Sequence, residues 1–119
     1  MANTPYLIGS AGENSGTNSL TVNVATPTTA GDVIHVSIDC SAATNAVTSV
    51  SDGAGNTYAL INSDTTQIGT YEFESTNTPT VALTTSNSFT IKFNGTGGGK
   101  SAVVVGIPGV TSGIGRAHV

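Results

Sequence analysis

The stretch that decides the fold is VTSVSDGAGNTYAL, residues 47–60. It consists of a β-rich run, a short turn rich in Gly, Asp and Asn, and a second β-rich run. The side chains of Asp52 and Asn56 can hydrogen-bond to their own backbone, and the glycines between them supply positive φ angles without a steric cost. The stretch therefore predicts a strand, a tight turn and a second strand.

The composition of the chain favours an all-β domain. Its 119 residues fit a single domain with its own hydrophobic core. Only 8% of the residues are charged, and the polarity comes instead from Thr, Ser and Asn, together with 15 glycines. Thr suits strands, whereas Ser, Asn and Gly suit turns, and a chain with so little charge does not have the composition of a disordered protein.

Short strands separated by turns recur along the whole chain. Apolar and polar residues alternate most clearly in Val33–Cys40, and Ala102–Ile107 is apolar on both faces, as expected of a strand that is central to its sheet or covered by a neighbour. Besides the two runs in 47–60, the predicted strands are 20–24, 33–40, 68–74, 81–83, 88–94 and 102–107, and Tyr6–Ile8 could add a short edge strand. Residues 9–19 are predicted to be a loop or an extended arm, and residues 62–66 are predicted to be a loop.

This pattern predicts an antiparallel β-sandwich of about eight strands, of the jelly-roll or immunoglobulin-like type. We expect an extended N-terminal arm (1–19), a sandwich domain (20–110) and a C-terminal tail (111–119). Gly- and Ser-rich ends become ordered only when something ties them down, so we expect both arms to take part in assembly.

The charge pattern argues against two classes of partner. The net charge is −4, and the fixed cations are Lys92, Lys100 and Arg116. Three scattered cations do not make the basic face that binding to nucleic acid or to anionic lipid requires. The longest apolar run is also far shorter than the ~20 residues that cross a bilayer.

The N-terminus and the lone cysteine bear on localisation. Met1–Tyr6 contains neither a basic nor an apolar region of the kind found in secretory signals, and Cys40 has no second cysteine for an internal disulfide. A composition typical of extracellular proteins without an export signal predicts a virion protein, which is assembled in the host cytoplasm. The alternative is an extracellular or cell-surface location.

The chain resembles β-sandwich modules that recur in phage structural proteins and in secreted bacterial surface proteins. The resemblance spans about residues 20–110 and lies in 30–38, in 47–52 with 55–58, and in 88–93. It implies the sandwich fold, and it implies a role as a spacer, an adhesin or a virion part. Such modules usually continue with further strands after the position of Gly109-Val110, whereas this sequence has nine more residues, so we expect an open sheet edge that can pair with another chain.

The candidates for a metal site are weak. Asp52 and Asn56 carry oxygen atoms that suit calcium, but the spacing of a calcium loop is missing and a structural turn is the competing interpretation. His35 and Asp39 share a strand face at ~13 Å, too far apart for a hydrogen-bonded pair. Cys40 faces away from His35 and is predicted to be an inert core residue. We therefore predict no metal and no cofactor.

The case for an enzyme is equally weak. Glu72 and Glu74 flank Phe73 on one strand face at ~7 Å, a separation that fits paired carboxylates of an inverting glycosidase. The sequence contains no Trp for stacking a sugar, and a solvated strand face is the simpler interpretation. We predict a non-enzymatic protein.

The sequence thus predicts a structural protein that assembles with copies of itself, with a capsid protein or with another virion protein, as a capsid decoration protein does. The residues expected to mediate assembly are Tyr6, Leu7, Ile8, Val103, Val105, Ile107 and Val110. The alternative is an adhesin or glycan-binding module that acts through the loops 41–46, 52–56 and 95–100.

Overall fold

The computed structural model describes residues 4–14, 17–41, 46–66, 68–96 and 98–109. These residues form eight strands, and they contain no helix long and apolar enough to cross a membrane. The strands are β1 (Tyr6–Glu13), β2 (Ser19–Asn23), β3 (Val33–Cys40), β4 (Val47–Asp52), β5 (Tyr58–Asp64), β6 (Gly69–Ser75), β7 (Ser88–Phe93) and β8 (Lys100–Ile107). The predicted all-β class and the number of strands are confirmed.

The strands form two antiparallel sheets packed face to face. The five-stranded sheet has the order β1-β8-β3-β6-β5, and the three-stranded sheet has the order β2-β7-β4. Nearly every connection crosses from one sheet to the other, which is the arrangement of a jelly roll, one of the two predicted types. The β5–β6 connection is the exception, because both strands lie in the five-stranded sheet.

The core lies between the sheets and follows the alternation of the sequence. Each strand contributes every second side chain, at ~1.5–3 kcal/mol for a fully buried large apolar residue. The largest buried apolar side chains are Phe89, Ile8, Ile34, Ile38, Leu83 and Ile91. Cys40 is also buried in this core, as predicted.

The prediction that residues 9–19 form a loop or an extended arm is wrong for 9–13. These residues continue β1, which pairs with β8 from Tyr6↔Gly106 to Glu13↔Lys100 with a bulge between Leu7 and Gly9. Small Gly, Ser and Ala residues hide the strand in the sequence, because its pairing comes from the backbone and from close contacts that only small residues permit. The part of the predicted N-terminal arm (1–19) from Tyr6 to Glu13 is therefore a strand of the sandwich.

The predicted loop at 62–66 is also shorter than expected. β5 continues to Asp64, and a bulge between Leu60 and Asn62 leaves Ile61 without a partner residue in β6. The bulge accommodates the extra residue, so the pairing resumes with Asn62↔Glu72.

The segment 81–83 is ordered but is not a strand. Its backbone pairs with side chains: the Asn56 amide accepts from the Val81 N–H at 2.7 Å and donates to the Val81 carbonyl at 3.1 Å. Thr28 binds Leu83 similarly, because its hydroxyl accepts from the Leu83 N–H at 2.8 Å and its own N–H donates to the Leu83 carbonyl at 3.0 Å. The alternation at 81–83 places Leu83 in the core, but no neighbouring strand completes a ladder.

Candidate assembly surface

Four of the residues predicted to mediate assembly lie together on the outer face of the five-stranded sheet. Leu7 of β1 lies directly opposite Val105 of β8, and Val103 and Ile107 point to the same side of β8. Leu7 is 53% exposed and Val103 is 43% exposed. We call Leu7, Val103, Val105 and Ile107 the apolar patch.

The position of β8 agrees with the prediction that 102–107 is central to its sheet or covered by a neighbour. β8 is central in its sheet, between β1 and β3, and its inner face is buried through Ala102 and Val104. On the other face, no part of the described chain packs over Val103. In the second apolar row of β8, Val103 is thus exposed and Val105 and Ile107 are partly exposed.

An acidic stripe lies beside the apolar patch on the same face. Val105 is followed across the sheet by His35 of β3 and then by Glu74 of β6, and Val103 is followed by Ser37 and then by Glu72. His35 Nε2 lies 3.3 Å from Glu72 Oε1. We call Asp39, Glu72 and Glu74 the acidic stripe, and the face as a whole changes from apolar to acidic across about three strand spacings.

The remaining predicted assembly residues lie elsewhere. The side chain of Ile8 is fully buried in the core. Tyr6 lies over Gly106, where its ring leaves no space for a Cβ atom, and its hydroxyl donates to the Asp32 carboxylate. Val110 lies outside the described residues.

Asp32 holds the start of β1 close to the end of β8. Its carboxylate accepts hydrogen bonds from the Tyr6 hydroxyl and, at 2.7 Å, from the Gly109 N–H, while its carbonyl accepts from the Thr80 hydroxyl at 2.6 Å. Burial, and then the hydrogen bond to the Asp32 carboxylate, raise the pKa of Tyr6 well above its ordinary value. β1 therefore begins beside the point where β8 ends, close to the apolar patch.

Asp52 and Asn56 form a structural turn rather than an open calcium loop. Asp52 Oδ1 accepts from the N–H groups of Ala54 at 2.8 Å, Gly55 at 2.9 Å and Asn56 at 3.3 Å. Asp52 Oδ2 accepts from Asn56 Nδ2 at 2.9 Å and from the Tyr58 hydroxyl at 2.7 Å. Both carboxylate oxygens already serve protein donors, and within the described ranges no three His, Cys, Asp or Glu side chains are grouped to hold a metal ion.

Tyr58 links this turn to the core. Its ring packs edge-on against Phe89 with 6.0 Å between the ring centroids. Burial, and then the hydrogen bond to the Asp52 carboxylate, raise the pKa of the Tyr58 phenol far above its ordinary value. The hydroxyl therefore stays protonated and keeps donating to Asp52.

The three loops of the alternative binding surface lie at opposite ends of the sandwich. β3 ends at Cys40 opposite Lys100, the first residue of β8, and Ser41 and Gly99 exchange hydrogen bonds at this end. β4 runs from this end to Asp52 at the other, so the turn 52–56 is a strand length away. A depression of about 490 Å³ at the first end is lined by polar side chains that include Glu13, Asp39, Ser41 and Lys100.

The pair Glu72 and Glu74 lies on the outer face of the five-stranded sheet. Glu72 is engaged by His35, and neither glutamate lines the depression described above. This position is that of a solvated strand face, which was the simpler interpretation of the sequence.

A second exposed apolar site, which was not predicted, lies on edge strand β5. Leu60 and Ile61 are 50% and 52% exposed; Leu60 is the last paired residue before the bulge, and Ile61 is the bulged residue. The signal was present, because Ala59-Leu60-Ile61 breaks the alternation of apolar and polar residues. The run gave no indication that it would lie at an edge rather than in the core.

Comparison with known proteins gives little. No family model matches the chain, and no curated protein matches it. Among solved structures, a chain in the tripod from the baseplate of bacteriophage Tuc2009 is similar at 13% sequence identity with a TM-score of 0.37. The match covers 84% of this chain but only 64% of that chain. The function therefore has to be argued from the surfaces of this chain.

Proposed function

We propose that this chain is a non-enzymatic structural protein of a phage virion, of the capsid-decoration kind, and that it assembles with copies of itself or with another virion protein. The observation that carries the proposal is the apolar patch. Isolated exposed apolar residues are normal, but a contiguous group on a flat sheet face is typical of an interaction site.

The energetics favour covering the patch. Apolar surface gains ~25 cal/mol per Å² when it is removed from water, so a half-exposed Leu or Val side chain contributes about 1 kcal/mol when it is covered. Leu7 and Val103 are the most exposed members of the patch. Protein interfaces commonly combine an apolar centre with a polar rim, and the acidic stripe supplies such a rim on one side.

The cations of the described chain support a protein partner rather than nucleic acid or membrane. Lys100 is buried against the Phe93 ring, 5.5 Å from its centroid, and donates to the Gly98 carbonyl at 3.3 Å. Lys92 is exposed on the three-stranded sheet, on the side of the molecule away from the apolar patch. A single exposed lysine among the described residues does not form a basic face.

The residues on the outer face of the three-stranded sheet support a virion location. Outward positions of the three-stranded sheet are mainly Ser, Thr and Asn, among them Thr21, Asn23, Ser49 and Ser51. A neutral, hydroxyl-rich surface opposite an apolar one fits a subunit with one face docked and the other in solvent. The resemblance to phage structural modules agrees with assembly in the host cytoplasm and a final place in the virion.

The test is the solution mass by light scattering, from micromolar to near-millimolar protein, for the wild type and Val103→Asp. We expect the mass of the wild type to rise with concentration and the mass of Val103→Asp to rise less, because a charge in the patch opposes its burial. Thr21→Asp, at an exposed position of β2, is the matched control and should behave as the wild type does. Equal association of wild type and Val103→Asp would contradict a docking role for the patch.

A second candidate is a cell-surface binding module. The depression between Ser41 and Lys100 favours it, since carboxylate and hydroxyl groups converge there around the exposed apolar side chain of Ile68. Glycan-array binding that is lost in Asp39→Ala, with unchanged solution mass, would favour this function over assembly.

A further inference from the structure

Edge strand β5 exposes its free side to solvent. It pairs with β6 alone within the described chain, and every residue from Ala59 to Asp64 is exposed. Proteins commonly protect an edge with lysine, proline, a β-bulge or a covering segment, and of these β5 has the bulge at Ile61. The strand contains no Lys, Arg or Pro, and its centre is the apolar pair Leu60-Ile61.

The opposite edge of the same sheet is closed. The Ile8 carbonyl of β1 accepts hydrogen bonds from the N–H groups of Ala25 at 2.8 Å and Thr26 at 3.1 Å. At Gly9 the chain approaches so closely that a Cβ atom would lie 2.3 Å from the Asn23 carbonyl oxygen. An incoming strand therefore meets a blocked edge at β1 and an unblocked one at β5.

We infer that β5 pairs with β5 of a second copy of this chain, antiparallel, so that the five-stranded sheet continues across a two-fold axis near Ile61. The inference rests on the proposed function and identifies the partner of this edge. Antiparallel pairing of identical strands is self-complementary and closes after two subunits.

The charges of the edge fit a second copy in this orientation. Asp64, at one end of β5, is the only charged side chain of the strand. Antiparallel pairing places the two Asp64 carboxylates at opposite ends, whereas parallel pairing would place them side by side. Glu72 and Glu74 of the two β6 strands would be three strand spacings apart, ~14 Å, which is beyond the ~8 Å screening length at physiological salt.

The length of β5 limits the affinity expected of the β5–β5 contact. Seven residues extend over ~23 Å, so the strand alone buries less than the ~800 Å² per partner of a typical stable interface. The bulge at Ile61 further shortens the regular stretch. Pairing should therefore appear at high protein concentration, and it should gain strength where many copies are held together on one assembly.

The test is disulfide trapping with Ile61→Cys. Pairing near residue 61 brings the two introduced thiols within disulfide reach, while the natural Cys40 is fully buried and does not compete. Under mild oxidation we expect Ile61→Cys to form covalent dimers about tenfold faster than the control Thr21→Cys on exposed β2. Equal rates for the two variants would overturn the inference.

Light scattering of Ile61→Lys separates this inference from the proposed function. A smaller rise of mass with concentration in Ile61→Lys than in the wild type supports edge pairing, since a charged lysine protects an edge. If Ile61→Lys associates as the wild type does while Val103→Asp does not, edge pairing fails and the patch proposal stands. If only Ile61→Lys loses association, edge pairing stands and the patch proposal fails.

Discussion

β1 and β5 are the two edge strands of the five-stranded sheet. They begin with the same kind of hydrogen bond, but their free sides differ in exposure. Each begins with a tyrosine whose hydroxyl donates to an aspartate: Tyr6 to Asp32 and Tyr58 to Asp52. Beyond the tyrosine, the Ile8 carbonyl of β1 accepts hydrogen bonds from Ala25 and Thr26 of the same chain, whereas β5 is exposed from Ala59 to Asp64. The comparison indicates that the Tyr–Asp hydrogen bond positions the start of a strand, whereas blocking the free side of an edge strand requires hydrogen-bond partners for its backbone.

Replacing the two aspartates should give the largest effects on stability. Asp52→Ala leaves three N–H groups, an amide and a hydroxyl without their acceptor, so we expect a loss of about 3–4 kcal/mol in the free energy of unfolding. Asp32→Ala removes fewer bonds and should cost about 2–3 kcal/mol. Urea unfolding measures both, and exposed Asp39→Ala is the control, expected within about 0.5 kcal/mol of wild type.

A reversed order, with Asp32→Ala the more destabilising variant, would contradict this account. It would mean that the Asp32 carboxylate, beside β1, contributes more to the free energy of unfolding than the Asp52 carboxylate in the turn before β5.

Glycine substitutions in β1 should show what closes that edge. Gly9→Ala forces a Cβ atom against the Asn23 carbonyl, and we expect a cost of about 2 kcal/mol from the backbone shift. At Gly12 the nearest atom to such a Cβ is the Lys100 carbonyl oxygen at 3.5 Å, an ordinary contact, so Gly12→Ala should change stability by less than about 0.5 kcal/mol. Thermal unfolding of the Gly9→Ala and Gly12→Ala variants measures this difference. Equal melting temperatures would show that the close approach of Asn23 to Gly9 does not affect stability.

Tyrosine substitutions should have the smallest effects and a distinctive pH dependence. Tyr6→Phe and Tyr58→Phe each remove a hydrogen bond to a carboxylate, which typically costs ~1.5 kcal/mol. Since the pKa of both phenols is raised in the folded state, the native protein keeps protons that the unfolded chain loses near pH ~10. Stability is then complete below that pH and falls above it.

The double variant Tyr6→Phe/Tyr58→Phe should show a flatter decline in its urea midpoint between pH ~9 and ~11. A wild-type midpoint that stays level over this interval would show that the tyrosines do not hold their protons more tightly in the folded state.

Parts of the fold could be predicted because large apolar residues alternate with polar ones. β3 and β7 are of this kind, and their inward residues Ile34 and Phe89 are fully buried. The start of β1 was predicted as a short edge strand at Tyr6–Ile8, but residues 9–13 were not, because a stretch rich in Gly, Ser and Ala has no such pattern and depends on pairing with β8. The segment at Val81 was overpredicted because its backbone partners are side chains, and alternation does not distinguish these from a neighbouring strand.

The candidate surface was only partly predictable for a similar reason. The two apolar faces of β8 indicated a strand that is central to its sheet or covered by a neighbour, and the sequence does not show whether the second face is covered within this chain. In the structure, Val103 on that face is exposed. The exposure of Ile61 could not be foreseen, because it depends on which strand ends the sheet.

Amide hydrogen exchange at low and at high protein concentration is the most direct test of whether copies of the chain associate through the exposed edge strand β5. We predict that the amides of β5 exchange more slowly at high concentration, while those of β1, whose free side is blocked at Ile8 by Ala25 and Thr26, do not change. Exchange in β5 that is independent of concentration, or slowing confined to β1, would contradict the account.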